Sequence, residues 1–387
     1  MARLPPTDLC ERVSAQTQYF TIAGRFQLES GCVLTDVTIA YRIWGSRNNI
    51  PGRTVLVCHP LTGSADVDRW WPGIVARDGA FDPRRDFVVC SNVLGSCYGS
   101  TGPVSRRPGG AGRFRHRFPR ITVRDMVRAQ RHLIDHLGID VLDLVTGPSL
   151  GGMQALEWAV SYPARVRSVA PVGAAGRHSA WCIGLHEAQR AAIYADANWN
   201  GGDYSDDSPP DRGLAAARMM AACASGSRDG FEHRFARAQN DNSDYQIQAQ
   251  LRRRGRRLAG RFDANAYVRL TQAMNDHDVS FGRGDYETVL RSIRQRALVI
   301  AVRSDALCPP AEQRFVADCL SNGAYAVIDS AAGHDGVHTE TAELARLLRD
   351  FGEPRADGTD RSVGAPARRD GSRHDVCRYR TVSASPR

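Results

Sequence analysis

The chain has 387 residues, 42% of them apolar, enough to bury a full core in one large domain or two modest ones. Its formal charge of +9 comes wholly from arginine, since no lysine occurs, which excludes a phosphate-loop lysine, a Schiff-base lysine and a Ser–Lys dyad. No apolar run reaches the ~20 residues of a bilayer span, and no zinc-finger, RNP-like or helix-turn-helix pattern accompanies the charge, so neither a membrane nor nucleic acid is expected as a partner.

The first residues, 1–16, form a polar extension carrying Asp8 and Glu11, without the apolar core of a signal peptide. The ten cysteines are scattered, with no CxxC pair and no metal-like cluster. Reduced thiols, a cytoplasmic location and no bound metal are therefore expected. Residues 19–45 alternate apolar and polar around Ser30-Gly31, the pattern of an antiparallel pair at a sheet edge. A short buried strand at 53–58 runs into His59-Pro60-Leu61-Thr62-Gly63, and a second at 87–90 precedes a glycine-rich loop at 92–102. Residues 124–137 read as an amphipathic helix closed by Gly138.

The chain is organised around residues 141–160, VLDLVTGPSLGGMQALEWAV. An apolar strand-like run, a Gly-x-Ser-x-Gly turn and a segment of helical spacing stopped by Pro163 describe a nucleophile elbow, with Ser149 at its apex. The turn is too tight for β-carbons at its glycines, and the helix N-terminus favours negative charge beside the hydroxyl. A strand at 166–172 follows. Strand–helix alternation lapses from 177 to 296, where only helical patterns and polar loops occur. It resumes with a strand at 297–302, a helix at 309–320, a strand at 324–328 and a helix at 339–351. The expectation is a mostly parallel sheet covered on both faces, residues 17–176 and 297–352, with an inserted helical cap at 177–296. Residues 353–387, rich in Gly, Ser, Pro, Asp and Arg, are expected to be disordered. The arginine run 252–257 reads as a solvated face, or as a source of positive field for an anionic cofactor such as coenzyme A.

An elbow serine needs a base and an orienting acid, which follow it in the order acid, then histidine, each just past a strand. Asp305 after the strand 297–302 and His334 after the strand 324–328 meet that requirement, so the expected triad is Ser149, His334 and Asp305. The N–H groups of Leu150 and Leu61 are the expected oxyanion donors. His59 is a weighed second base and more simply shapes its loop; Cys97 is the rival nucleophile but lacks a strand-turn-helix setting.

The runs HPLTG (59–63), NVLGSCYGSTGP (92–103), GPSLGGMQALEWA (147–159), RHSAWCIGLHEAQRAAIYAD (177–196), GLAAAR (213–218), RFDANAYVRLTQAMNDHD (261–278), RSDALCPP (303–310) and GHDG (333–336) resemble the homoserine O-acetyltransferase family over about residues 17–352. The resemblance implies an α/β-hydrolase fold, transfer of an acetyl group from acetyl-CoA to L-homoserine in methionine biosynthesis, and a cytoplasmic homodimer. It carries the triad onto Ser149, Asp305 and His334. It also implies that Arg218 faces the amino-acid carboxylate and Asp335 its ammonium, with Thr62 in the substrate wall and no bound cofactor. Pro60 and Pro148 depart from the family pattern, one beside the oxyanion loop and one in the elbow. A succinyltransferase acting on homoserine or serine, an esterase, and a non-catalytic binding protein on the same fold remain alternatives at this point.

Overall fold

Eight strands form one sheet: β1 (Gln18–Gln27), β2 (Val33–Trp44), β3 (Thr54–Cys58), β4 (Phe87–Ser91), β5 (Leu144–Pro148), β6 (Ser168–Val172), β7 (Arg296–Val302) and β8 (Asn322–Ile328). Their order is β1-β2-β4-β3-β5-β6-β7-β8. The first two strands form the expected antiparallel edge pair, β2 is antiparallel to β4, and every later pairing is parallel. The computed structural model describes residues 13–47, 52–110, 112–241 and 243–352. Most of the N-terminal extension and the tail 353–387 lie outside the described residues.

Alternating side chains of the central strands enter two apolar layers, because helices cover both faces. Leu56 and Cys58 of β3 pack with one layer, which includes Phe118, Met126, Leu133 and Trp158. Val55 and Val57 point the other way, toward Trp71, Phe81, Leu344 and Leu348. Side chains buried this fully contribute about 1.5–3 kcal/mol each relative to exposure. In chain order the helices are α1 (Val67–Trp70), α2 (Val123–His136), α3 (Leu150–Ser161), α4 (Ala180–Tyr194), α5 (Asp211–Ser225), α6 (Arg228–Arg234), α7 (Gln246–Ala259), α8 (Ala264–Asn275), α9 (Tyr286–Ser292), α10 (Pro310–Cys319), α11 (Gly336–Thr339) and α12 (Thr341–Gly352). The segment between β6 and β7 contributes no strand to the sheet among the described residues, and α4 to α9 lie within it.

Element edges differ from expectation where pairing partners run out. The run beginning at Val141 joins the ladder only at Leu144, since its first partner in β3 is Val55. Before that, Asp143 closes the end of the ladder, its carboxylate accepting from the Thr54 N–H at 2.8 Å. The amphipathic helix α2 starts at a capping box, the Thr122 hydroxyl and Asp125 carboxylate each accepting the other residue's N–H at 3.1 Å. Among the described residues no helix is long and apolar enough to cross a membrane.

Candidate active site

At the β5–α3 corner the backbone of Ser149 takes φ 56°, ψ −120°, a conformation that costs a non-glycine residue about 1–3 kcal/mol. The corner can form only because its neighbours lack side chains. A β-carbon on Gly147 or on Gly151 would lie 2.1 Å from the Cys58 carbonyl oxygen at the end of β3. One on Gly152 would lie 2.5 Å from Ala174 Cβ. A buried amide network holds α3 behind the corner: Gln130 Nε2 donates to Gln154 Oε1 at 2.7 Å, and Trp158 Nε1 donates to Gln130 Oε1 at 2.8 Å. Pro148 is the last residue of β5, beyond the β3–β5 pairing, which ends at Thr146, and the bond to β6 at this corner is donated by the Ser149 N–H to Val172 O at 2.8 Å.

Asp305 follows β7 and is buried, 3% exposed. Its Oδ1 accepts from the N–H groups of Leu307 at 2.8 Å and Cys308 at 2.9 Å, and its Oδ2 faces His334 Nδ1 at 2.7 Å. That carboxylate fixes the imidazole with its proton on Nδ1 and leaves Nε2 as an acceptor. Burial pulls the His334 pKa down, but the Asp305 charge and hydrogen bond, with the Asp335 charge, outweigh it and raise the pKa above 6.5. Ser304 ties the two loops together: its hydroxyl donates to Ser330 O at 2.6 Å and accepts from the Gly333 N–H at 2.9 Å. Gly333 has φ +69°, and a β-carbon there would lie 2.5 Å from the Ser225 carbonyl oxygen, so the histidine loop seats directly on the end of α5.

The other weighed candidates sort by their hydrogen bonds and surroundings. His59 is fully buried, its Nε2 accepting from the Val93 N–H at 3.0 Å and its Nδ1 donating to Pro60 O at 2.8 Å. Both nitrogens are thus committed, and burial pushes its pKa down to about 4, so it shapes the loop. Pro60 closes a turn there, its carbonyl accepting from the Gly63 N–H at 2.9 Å. Among the described residues neither the Leu61 nor the Leu150 N–H donates to a protein acceptor. Cys97 lines a different cavity, with Tyr204 and Phe262.

Ser149 and His334 line one cavity of about 130 Å³, together with Leu61, Thr62, Arg218 and Asp335. Arg218 extends from the middle of α5, and burial lowers its pKa. Among the described residues its guanidinium makes no hydrogen bond or ion pair; Asp335 acts on it only as a nearby charge. Asp335 is paired with Arg254 at 2.7 Å. Burial raises the Asp335 pKa, but the hydrogen bond from Arg254 and the charges of Arg254 and Arg218 outweigh it and hold the carboxyl below its usual value. The arginine run was therefore read incompletely: Arg252, Arg253, Arg256 and Arg257 are exposed, whereas Arg254 turns inward to the site.

Sequence reasoning missed Arg254, which pairs with Asp335, and Cys308, His178, His186 and His338 of the cavity wall. Burial pushes His186 and His338 down to about 4 and His178 well below its usual value, so these three are neutral imidazoles near pH 7. His338 lies four residues past His334, outside the GHDG run, and its spacing carries no signal of its own.

A mostly parallel sheet with a serine at this strand-to-helix corner is the architecture of an α/β hydrolase, and the sequence family described as alpha/beta hydrolase fold matches residues 53–341. The chain is 51% identical to the homoserine O-acetyltransferase of Trichormus variabilis, covering 88% of this chain and 94% of that one. It is 49% identical to the homoserine O-acetyltransferase of Nostoc punctiforme over 87% and 96% of the two chains. The chain belongs to the homoserine O-acetyltransferase family. Among solved structures, homoserine O-acetyltransferase from Bacillus anthracis superposes with a TM-score of 0.80 at 25% identity, covering 88% of this chain and 98% of that one. Esterase E22 superposes with a TM-score of 0.78 at 27% identity, covering 87% and 99%.

Proposed function

We propose that the protein transfers the acetyl group of acetyl-CoA to the hydroxyl of L-homoserine through an acetyl-Ser149 intermediate. His334 Nε2 takes the proton of Ser149 as its oxygen attacks the thioester carbonyl, and the Leu61 and Leu150 N–H groups hold the developing oxyanion. Collapse expels the coenzyme A thiolate, which leaves with the proton from His334. The homoserine hydroxyl then gives its proton to His334 and attacks the acetyl carbon, and Ser149 departs with that proton restored. Asp305 keeps the imidazole in the right tautomer and stabilises its charged form. No metal or redox cofactor enters these steps.

The observation that carries the reading is the Arg218 guanidinium, without a hydrogen-bond or ion-pair partner among the described residues, in the same cavity as Ser149 and His334. A simple ester needs no such cation, whereas an amino-acid acceptor brings a carboxylate to it and an ammonium to Asp335. Thr62 completes the wall beside the oxyanion loop. An esterase reading draws on the likeness to E22. The two separate in an assay of acetyl-CoA and succinyl-CoA, each with homoserine, serine or no acceptor, in which products are identified by mass spectrometry. O-acetylhomoserine formed only with acetyl-CoA and homoserine is expected. Coenzyme A release at full rate without acceptor overturns the transferase reading, and succinylated product overturns the donor.

The homodimer that the resemblance implies, acting in the cytoplasm, has a surface to use: Trp181, Ile183 and Tyr194 on α4 and Met220 on α5 are exposed. A monomer mass by light scattering would overturn it.

A further inference from the structure

Two buried thiols in the cavity wall have no part in the proposed steps, those of Cys182 and Cys308, and Cys308 is the one that lies beside Asp305 and His334. A sulfur of Cys308, a nitrogen of His334 and an oxygen of Asp305 lie within 4.8 Å of one another, all three residues buried. Zinc takes a thiolate at about 2.3 Å and imidazole or carboxylate at about 2.0–2.2 Å, so its ligand atoms stand roughly 3.5 Å apart. Asp305 and His334 already stand at that spacing or closer, Oδ2 to Nδ1 at 2.7 Å, and the backbone of residue 308 is held, its carbonyl accepting from Gln313 Nε2 at 2.6 Å. One soft sulfur and one imidazole select a soft or borderline cation over magnesium or calcium. The thiolate and carboxylate together neutralise a dication, which offsets the cost of burying it. Two of the three, Cys308 and His334, line the same cavity as Ser149.

We propose that Asp305, Cys308 and His334 form a binding site for a soft divalent cation such as Zn2+, and that its occupation switches acyl transfer off. The switching half rests on the reading of His334 as the base; the binding half does not. On binding, the thiol proton passes to solvent, and the imidazole proton moves from Nδ1 to Nε2 as Nδ1 becomes the ligand. Nε2 then presents N–H to Ser149 in place of a lone pair, and Asp305 exchanges its hydrogen bond for the metal. The general base is lost while every residue remains in place. The fourth position is left to water.

The test uses the full chain freed of metal with a chelator, in buffer without thiols. Equilibrium dialysis against Zn2+, and against Co2+ for its thiolate charge-transfer band, is run on the unaltered protein and on Ser149→Ala, Cys308→Ala and His334→Ala. Product formation from acetyl-CoA and homoserine is followed by mass spectrometry over the same metal range, with Mg2+ as the hard-ion control. A single zinc and a thiolate band are expected in the unaltered protein and in Ser149→Ala. Losing a ligand should cost at least the roughly tenfold that losing an outer-shell partner does, so Cys308→Ala should lose the band outright and His334→Ala should need at least about tenfold more metal to show it. Inhibition should follow occupancy, reverse with EDTA, and need about tenfold more zinc in Cys308→Ala, read against that variant's own metal-free rate. Equal zinc sensitivity of Cys308→Ala and the unaltered protein, or no thiolate band, overturns the site. A filled site with undiminished product formation overturns the switch. Zinc and the band in Ser149→Ala, with no acyl transfer by the unaltered protein, would sink the acyltransferase reading and leave the metal site standing.

Discussion

The sheet and the helical insertion meet at one cavity and furnish it by different means. Ser149, Asp305 and His334 each stand within a few residues of the end of a parallel strand, where ladder hydrogen bonds and obligatory glycines fix the backbone before any side chain is chosen. Arg218, which lines that cavity, and Arg254, which reaches it only through its ion pair with Asp335, come from the interiors of α5 and α7, and their direction depends on how those helices pack. At Gly255 the two approach so closely that a β-carbon would lie 2.7 Å from the Ala215 carbonyl oxygen. The groups proposed to react are thus set by local backbone, and those proposed to select the acceptor by helix packing. Substitutions in the first set should abolish turnover, and those in the second should alter which acceptor is used and how tightly.

Ser149→Ala puts that division under the greatest stress. Product formation should fall about 10⁴-fold or more, with the circular dichroism spectrum and thermal midpoint retained. A loss under tenfold would remove the serine from the mechanism. Asp305→Asn comes next, with a loss of about 10⁴-fold in kcat, because an amide no longer enforces the tautomer. It also carries a pH signature. His334 must be neutral to accept a proton, and its pKa is raised above 6.5, so kcat/KM should fall as pH drops through a value on the alkaline side of 6.5. Removing the Asp305 charge should move that acid limb to lower pH. An acid limb that stays in place would assign it to another group.

The same division decides what could be read from the sequence. The elbow was legible because strand, Gly-x-Ser-x-Gly and helix are contiguous, and the sterics around Gly147 and Gly151 demand that order. Asp305 and His334 were legible as residues just past strands, and the structure places them 2.7 Å apart across 29 positions of sequence. Arg254 was not, because a run of arginines on a helix has no local mark showing which member turns inward. Cys308 was hidden for a related reason: it is near Asp305 in sequence but reaches His334 only through the meeting of two loops. The late start of β5 was hidden as well, since apolar content does not reveal where the neighbouring strand ends.

Arg218→Leu tests the insertion's side of the division. It removes the charge-assisted hydrogen bond proposed to the acceptor's carboxylate, worth about 1.5–3 kcal/mol, so KM for homoserine should rise about 10- to 100-fold. The burst of coenzyme A release on forming the acetyl-enzyme should be unchanged, because the first half-reaction involves no amino acid. Arg218→Lys should recover part of the loss, since an ammonium restores charge but not the planar fork. Equal damage to both half-reactions would move Arg218 from acceptor recognition to the general support of the fold.

Arg254→Gln should have the smallest effect and is the most discriminating. Arg254 occupies the carboxylate that the acceptor's ammonium is proposed to reach, and the pair is only partly buried, with side-chain exposures of 30% and 22%. Arg254 holds the Asp335 pKa down, so glutamine should let it rise toward the ordinary carboxylate value. The change in KM for homoserine near pH 7 should be about two- to fivefold, the scale of a solvent-screened ion pair. On the acid side of neutrality the variant should lose homoserine affinity at a higher pH than the unaltered protein, because Asp335 protonates earlier. A KM insensitive to pH in both proteins would separate Asp335 from ammonium binding and leave its contact with Arg254 as a strut between α7 and the histidine loop.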